Sequence, residues 1–205
     1  MTTEDLEFDA IAKDLHSAVV SDVLDAIGHR DHALPEAIRP FDHGSRLVGR
    51  AMTMQLVPAF SEPEQPYEGF ISAMDRIPAG SVVVLVARET RCALWGELFS
   101  TAARARGARG TLVDGYVRDT EKVRAMGYPV FARGVSPLDS RGRAAFLVDG
   151  VTVKIDGISV TNGDLVVGDY DGIVIVPQAV AVEVIRRAYE KVATESIARS
   201  ALGRG

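Results

Sequence analysis

Two short stretches of the chain carry residue types that can act together on a small acidic molecule. The first is Gly96-Glu97-Leu98-Phe99, where a short apolar strand pattern gives way to a helical one. Backbone N–H groups at such a helix start are free, and the positive end of the helix dipole reinforces them, so a carboxylate or phosphate can bind there. The second is Arg118-Asp119, where the next strand pattern turns into its helix. Arginine offers a bidentate fork to a carboxylate, and aspartate a hard oxygen ligand. One carboxylate with several waters is a common way of holding Mg²⁺. In a parallel sheet the carboxyl ends of neighbouring strands lie side by side, and ligands bind there. Both loops are therefore expected to face one pocket. The bland alternative for each is an acidic residue that merely favours the first turn of a helix.

Other candidates are weaker. Asp169-Tyr-Asp-Gly172 resembles a fragment of a calcium loop but lacks the full pattern, and it suits a hairpin turn better. Gly107-Ala-Arg-Gly110 is too short for a dinucleotide fingerprint. His16, His29, His32 and His43 have no i, i+4 pairing that would build zinc onto one helix. There is no Gly-x-Ser-x-Gly elbow, and Cys92 has no evident base partner. Arg104, Arg106 and Arg109 read as a solvated helix end.

The elements that must position these residues alternate. Ile11, Leu15, Val19, Val23 and Ile27 form one helical stripe stopped at Gly28. Residues 29–46, with Pro35 and Pro40, read as a loop, and 47–57 as a strand pair or one bent strand. A proline-marked surface loop, 61–69, is suited to serve as a lid. Ser81–Ala87 has the unbroken β-branched run of a strand buried on both faces. Strands at 91–95, 111–113 and 129–132 alternate with helices after Gly96 and at 120–126, which implies a parallel layer. Asp114-Gly115 reads as a turn, and 134–143 as a polar loop. Hairpins follow, with strands near 146–148, 152–155, 158–160, 165–167 and 173–176. A long helix from Gln178 to about Leu202 ends the pattern. No linker divides residues 1–205, so one mixed α/β domain with helices at both ends is expected.

Composition restricts the functions available. The 205 residues carry 23 basic and 28 acidic side chains, a formal charge of −5, which disfavours a nucleic-acid partner. The longest strongly apolar run, near 82–87, is far short of the ~20 residues that span a bilayer. One cysteine and an acidic N-terminus fit a reduced, cytoplasmic protein with no membrane partner.

With these residues in place, the sequence resembles the family of 4-hydroxy-4-methyl-2-oxoglutarate aldolases and regulator-of-ribonuclease-activity-A-like (RraA-like) proteins. The marks are Ser21-Asp-Val-Leu-Asp-Ala-Ile-Gly28, Arg46-Leu-Val-Gly49, Gly96-Glu-Leu-Phe-Ser-Thr-Ala-Ala103 and Val113-Asp-Gly-Tyr-Val-Arg-Asp119. They continue in Gly127-Tyr-Pro-Val-Phe-Ala-Arg-Gly134, Ser140-Arg-Gly-Arg143 and the segment 163–172. Glu97, twenty intervening residues and Arg118-Asp119 match the family's acidic-then-Arg-Asp signature.

The resemblance implies an α/β/β/α sandwich of the swivelling phosphohistidine-domain type, assembled as homotrimers or hexamers with sites at subunit contacts. It implies substrate binding by the 96–99 backbone, a keto-acid held by Arg118, and a divalent metal, Mg²⁺ or else Mn²⁺, on Asp119. Glu195 matches a family glutamate contributed by a neighbouring subunit. The chain departs from the family pattern at Glu97, where the aldolases have Asp, and at Lys122, where an acidic residue is frequent. The implied activity is a metal-dependent lyase that cleaves 4-hydroxy-2-keto acids to pyruvate and also decarboxylates oxaloacetate. A proton of the 4-hydroxyl would leave to a water oriented by Glu97 or Glu195. The rival within the same resemblance is a non-catalytic regulator that docks onto ribonuclease E or its helicase partners. Asp119 favours the enzyme, because the regulator that names the family has a non-acidic residue after its arginine.

Overall fold

Runs of β-branched residues build the centre of the molecule, because strands covered on both faces need apolar side chains at every position. The computed structural model describes residues 6–62, 67–87 and 89–203, and the side chains of 197–201 are not among those described. Its strands are β1 (Arg39–Pro40), β2 (Leu47–Pro58), β3 (Ser81–Val86), β4 (Ala93–Trp95), β5 (Gly110–Val117) and β6 (Val130–Val135), followed by β7 (Ala144–Asp149), β8 (Val153–Ile155), β9 (Ile158–Val160), β10 (Leu165–Gly168) and β11 (Ile173–Val176). The helices are α1 (Phe8–Asp14), α2 (Ser17–Ala26), α3 (Glu68–Asp75), α4 (Glu97–Ala105), α5 (Thr120–Ala125) and α6 (Ala181–Leu202).

Nine strands form one curled sheet in the order β1-β6-β5-β3-β2-β10-β11, with β4 added to β5 and β7 to β2. β3, β4, β5 and β6 run parallel, as the alternation predicts, β2 joins them in parallel beside β3, and β10–β11 is an antiparallel hairpin. β8 and β9 pair separately. Three apolar clusters stabilise the layers. Phe70, Met74 and Ala103 of α3 and α4 pack with Met54, Leu85 and Val113 on one outer face. α1, α2 and α6 cover β10 and β11 on the other, through Leu15, Val20, Leu24 and Ile185. The inner faces meet around Leu47, Val84, Leu112, Phe131, Ile155 and Ile175.

Several expectations are corrected. The helical stripe from Ile11 to Ile27 is two helices, broken at extended Leu15 and His16. Asp169 is the reason: its buried carboxylate accepts Ser17 N–H at 2.7 Å and the Ser17 hydroxyl at 2.6 Å, which starts α2 anew. Asp114-Gly115 is not a turn but lies inside β5, and the fully buried Asp114 carboxylate pairs with Arg133 of the adjacent strand. The tetrapeptide Leu-Val-Asp-Gly that ends at Gly115 recurs at 147–150, and there it does end its strand, at Gly150. Residues 47–58 are one strand with an irregularity at Gln55/Leu56. Part of the expected lid, residues 63–66, lies outside the described residues, and its last two residues, Glu68 and Gly69, already belong to α3. In the long helix expected from Gln178, the side chain of Ile197 is likewise outside them. Among the described residues no helix is long and apolar enough to cross a membrane.

Candidate active site

Three successive strands of the parallel layer end at one cleft. After β4 comes Gly96 and the start of α4; after β5 come Arg118 and Asp119; beyond β6 come Asp139 and Ser140. The last of these is a loop segment, yet backbone bonds tie it to β4 and β5: Ala93 N–H donates to Leu138 C=O at 2.8 Å, and Ser136 N–H to Val117 C=O at 3.0 Å. The cleft encloses a cavity of about 430 Å³, closed on its other side by Tyr67, Ile71 and Met74.

Glycine at position 96 makes room for the Asp119 carboxylate. A Cβ there would sit 2.7 Å from Asp119 Oδ2 and 3.2 Å from the Arg118 side chain. Its absence lets the Arg-Asp loop approach the helix start, and Glu97 N–H reaches Asp119 Oδ2 at 3.4 Å. Asp119 itself has left-handed backbone angles, φ 58° and ψ 31°. Tyr67, across the cavity, shares that conformation at φ 71°. Such angles are uncommon outside glycine and often cluster at functional positions.

Arg118 lies between two carboxylates. Its Nε is 3.8 Å from Asp119 Oδ2, and its Nη1 is 3.5 Å from Asp139 Oδ2. These separations exceed tight hydrogen bonds, so the guanidinium keeps donors for a ligand. Tyr67 O–H donates to Asp139 Oδ1 at 2.7 Å, and Arg141 N–H to the same oxygen at 3.3 Å. Burial disfavours ionisation of Asp139, but the Tyr67 hydroxyl, the Arg141 and Ser140 backbone and the Arg118 charge outweigh it, holding the carboxyl below the usual range. Burial, reinforced by the bond to Asp139, pushes the Tyr67 phenol up.

The residues singled out in the sequence separate here. Gly96, Leu98, Phe99, Arg118 and Asp119 line the cavity together. The Glu97 side chain turns along the surface, its Oε2 3.6 Å from Lys122 Nζ. Glu195 is exposed on α6, 3.9 Å from Lys191, and is not among the cavity-lining residues of its own chain. The expected solvated arginine cluster is instead committed: Arg104 bonds Met126 C=O, Arg106 pairs with Asp75, and Arg109 with Asp9. Cys92 is buried, which pushes its thiol up and leaves it unsuited to nucleophilic work. Tyr67 and Asp139 were not singled out, and their partnership spans 72 residues of sequence. The one trace of it is Ser140-Arg-Gly-Arg143, the motif that begins beside Asp139.

A resident divalent cation is implied by the resemblance, and the donor set suits one kind of ion. Among the described residues there is no group of three His, Cys, Asp or Glu that could hold a metal. Asp119 supplies one hard carboxylate, 40% exposed and left accessible by Gly96. That fits a cation that retains most of its water, as Mg²⁺ does.

Fold and cleft together define a class: mixed α/β proteins with a charged cleft at the carboxyl ends of parallel strands. The chain belongs to the RraA-like family, described as Aldolase/RraA, whose model matches residues 17–175. It is 29% identical over 191 residues to Protein DlpA of Legionella pneumophila, covering 93% of this chain but only 31% of that longer protein. It is 26% identical to a Halalkalibacterium halodurans protein named "Putative 4-hydroxy-4-methyl-2-oxoglutarate aldolase", covering 98% of this chain and 91% of the relative. Among solved structures, Streptomyces coelicolor RraAS2, titled an unusual member of the RNase ES inhibitor RraA protein family, superposes with a TM-score of 0.82. It is 26% identical, with 94% of each chain covered.

Proposed function

We propose that the protein is a metal-dependent lyase that cleaves 4-hydroxy-2-keto acids, such as 4-hydroxy-4-methyl-2-oxoglutarate, to release pyruvate, and that it decarboxylates oxaloacetate as a side reaction. The observation that carries this reading is Arg118, flanked by Asp119 and Asp139, at the mouth of α4 in one cavity. Its fork receives the carboxylate of the keto acid, and it adds positive charge where the oxyanion of the pyruvate enolate develops. The α4 N-terminus directs Leu98 and Phe99 N–H groups at the same anion. Asp139, fixed by Tyr67, orients the guanidinium. Asp119 would hold the Mg²⁺ or Mn²⁺, which supplies Lewis acidity at the 2-keto oxygen when bound. Glu97, or Glu195 of a neighbouring subunit in a homotrimer or hexamer, orients the water that takes the 4-hydroxyl proton. Decarboxylation needs no such base, because loss of CO₂ leaves the same enolate. The α/β/β/α sandwich of the swivelling phosphohistidine type is the architecture that accompanies this reading.

The test is pyruvate release from both substrates, with and without Mg²⁺ or Mn²⁺. Activity that chelation removes and metal restores is expected. The likeness to RraAS2, a member of the RNase ES inhibitor RraA family, favours a second reading, a regulator that binds ribonuclease E or its helicase partners. A chain that releases no pyruvate but is retained on those immobilised proteins is that regulator.

A further inference from the structure

β5 changes partners midway, and the change falls just before Arg118. Up to Asp114 it lies beside β3, with Val82 opposite Gly110 and Val86 opposite Asp114. From Tyr116 onward that side belongs to β4, where Ala93 stands opposite Tyr116. Against β6 the register shifts at the same place: Val113 faces Ala132, but Tyr116 faces Gly134. Two residues of β5, Asp114 and Gly115, therefore stand opposite one of β6, Arg133, which is the count of a β-bulge. Arg133 also holds the bulge chemically. Its Nε binds the buried Asp114 carboxylate, and its Nη2 lies 2.6 Å from Asp156 in the β8–β9 turn.

The bulge settles where the cleft residues land. Strand side chains alternate with period 2, so one extra residue changes the position and face that each later residue takes against its neighbours. Continued without a shift, the register of Thr111 to Val113 would set Tyr116 opposite Val135. Val117 would then hold the place of Arg118. Gly115 admits the new neighbour, because a Cβ there would be 2.7 Å from Cδ1 of the fully buried Leu94. β4 in turn fixes the site: Arg118 N–H donates to Trp95 C=O at 2.9 Å, and Gly96 follows directly.

We propose that the Asp114-Gly115 bulge, locked by Arg133, aims Arg118 and Asp119 into the cleft. Asp114, Gly115 and Arg133 are positioning residues. They stand outside the cavity lining and act through the backbone of Arg118. The inference rests on the keto-acid reading for what the aimed residues do, not for how they are aimed.

Native-state amide exchange of the full-length protein, followed by NMR, reads the aim without needing turnover. Thr111 N–H, bonded to Pro129 C=O at 2.9 Å before the bulge, is the internal reference. Asp114→Leu combined with Arg133→Met removes both charges of the lock at once, a replacement that folded proteins commonly tolerate. Protection of the Arg118 amide should fall at least about tenfold relative to that of Thr111. Pyruvate release with Mg²⁺ should fall about 10²-fold in kcat/KM, the cost of a misplacement of about 1 Å. In a second pair, Gly115→Ala should displace Leu94 and lower Arg118 protection, and adding Leu94→Ala should restore it. This pair decides the matter if the first does not fold. Unchanged Arg118 protection, a loss shared equally with Thr111, or full activity after the loss each overturns the inference. A Gly115→Ala defect that Leu94→Ala leaves unrepaired overturns it too. A wild-type chain that releases no pyruvate removes the proposed reaction and leaves the exchange comparison to decide the aim.

Discussion

Asp169 and Asp119 are both aspartates beside an arginine, and the molecule uses them in opposite ways. Asp169 lies in the β10–β11 hairpin with 6% of its surface exposed. It accepts from Ser17 N–H, the Ser17 hydroxyl, Asp171 N–H at 3.0 Å and Arg46 at 3.0 Å, so its lone pairs are occupied. Asp119 is 40% exposed, and its nearest donors, Glu97 N–H and Arg118 Nε, stand at 3.4 and 3.8 Å. A saturated carboxylate joins elements, here α2 to the far edge of the sheet. An unsaturated one can take a ligand. The difference is in coordination, not in residue type.

That contrast can be broken experimentally. The largest effect is expected from Asp119→Ala, which should lower metal-stimulated pyruvate release by about 10²–10³-fold while leaving the denaturation midpoint nearly unchanged. Asp169→Ala should do the opposite, costing about 3 kcal/mol of stability by orphaning the Ser17 amide and Arg46, as read by urea unfolding. A smaller loss, about 2 kcal/mol in kcat/KM, is expected for Arg118→Lys, because a point charge cannot reproduce the bidentate fork. Tyr67→Phe should cost about 1 kcal/mol in kcat/KM by freeing Asp139.

The comparison also has a pH signature. Burial opposes ionisation of Asp169, yet the Ser17 hydroxyl and amide, the Asp171 amide and Arg46 bring its carboxyl below the ordinary value. A depressed folded-state pKa gives stability that is present above the unfolded value, about 3.9, and is lost as pH falls through the folded value. The stability gap between wild type and Asp169→Asn should therefore be constant above about pH 5 and close progressively below about pH 4. Unfolding measured at several acid pH values checks this.

The sequence discloses part of the cleft and conceals the elements that support it, for physical reasons. Gly96–Phe99 and Arg118-Asp119 are legible because each sits at a strand-to-helix junction, a local pattern that the parallel topology then brings together. The break at Leu15 is not legible, because the apolar stripe runs through it and the cause is Asp169, 152 residues beyond the Ser17 it binds. Asp114-Gly115 has the composition of a turn, and its burial is supported by Arg133 on the next strand, which the local sequence does not reveal. Tyr67 and Asp139 meet from two segments with no periodicity, so nothing local links them.

The left-handed backbone at Asp119 carries a further consequence. Holding a residue with a Cβ there costs on the order of 1 kcal/mol, a strain that Asp119→Gly would relieve. Glycine's extra freedom in the unfolded chain takes back a similar amount, roughly 0.4–1 kcal/mol. The fold is therefore close to indifferent to the exchange. Thermodynamics protects Asp169 against drift but leaves Asp119 undefended, so a copy of this protein released from its chemical task could shed that carboxylate without losing its shape.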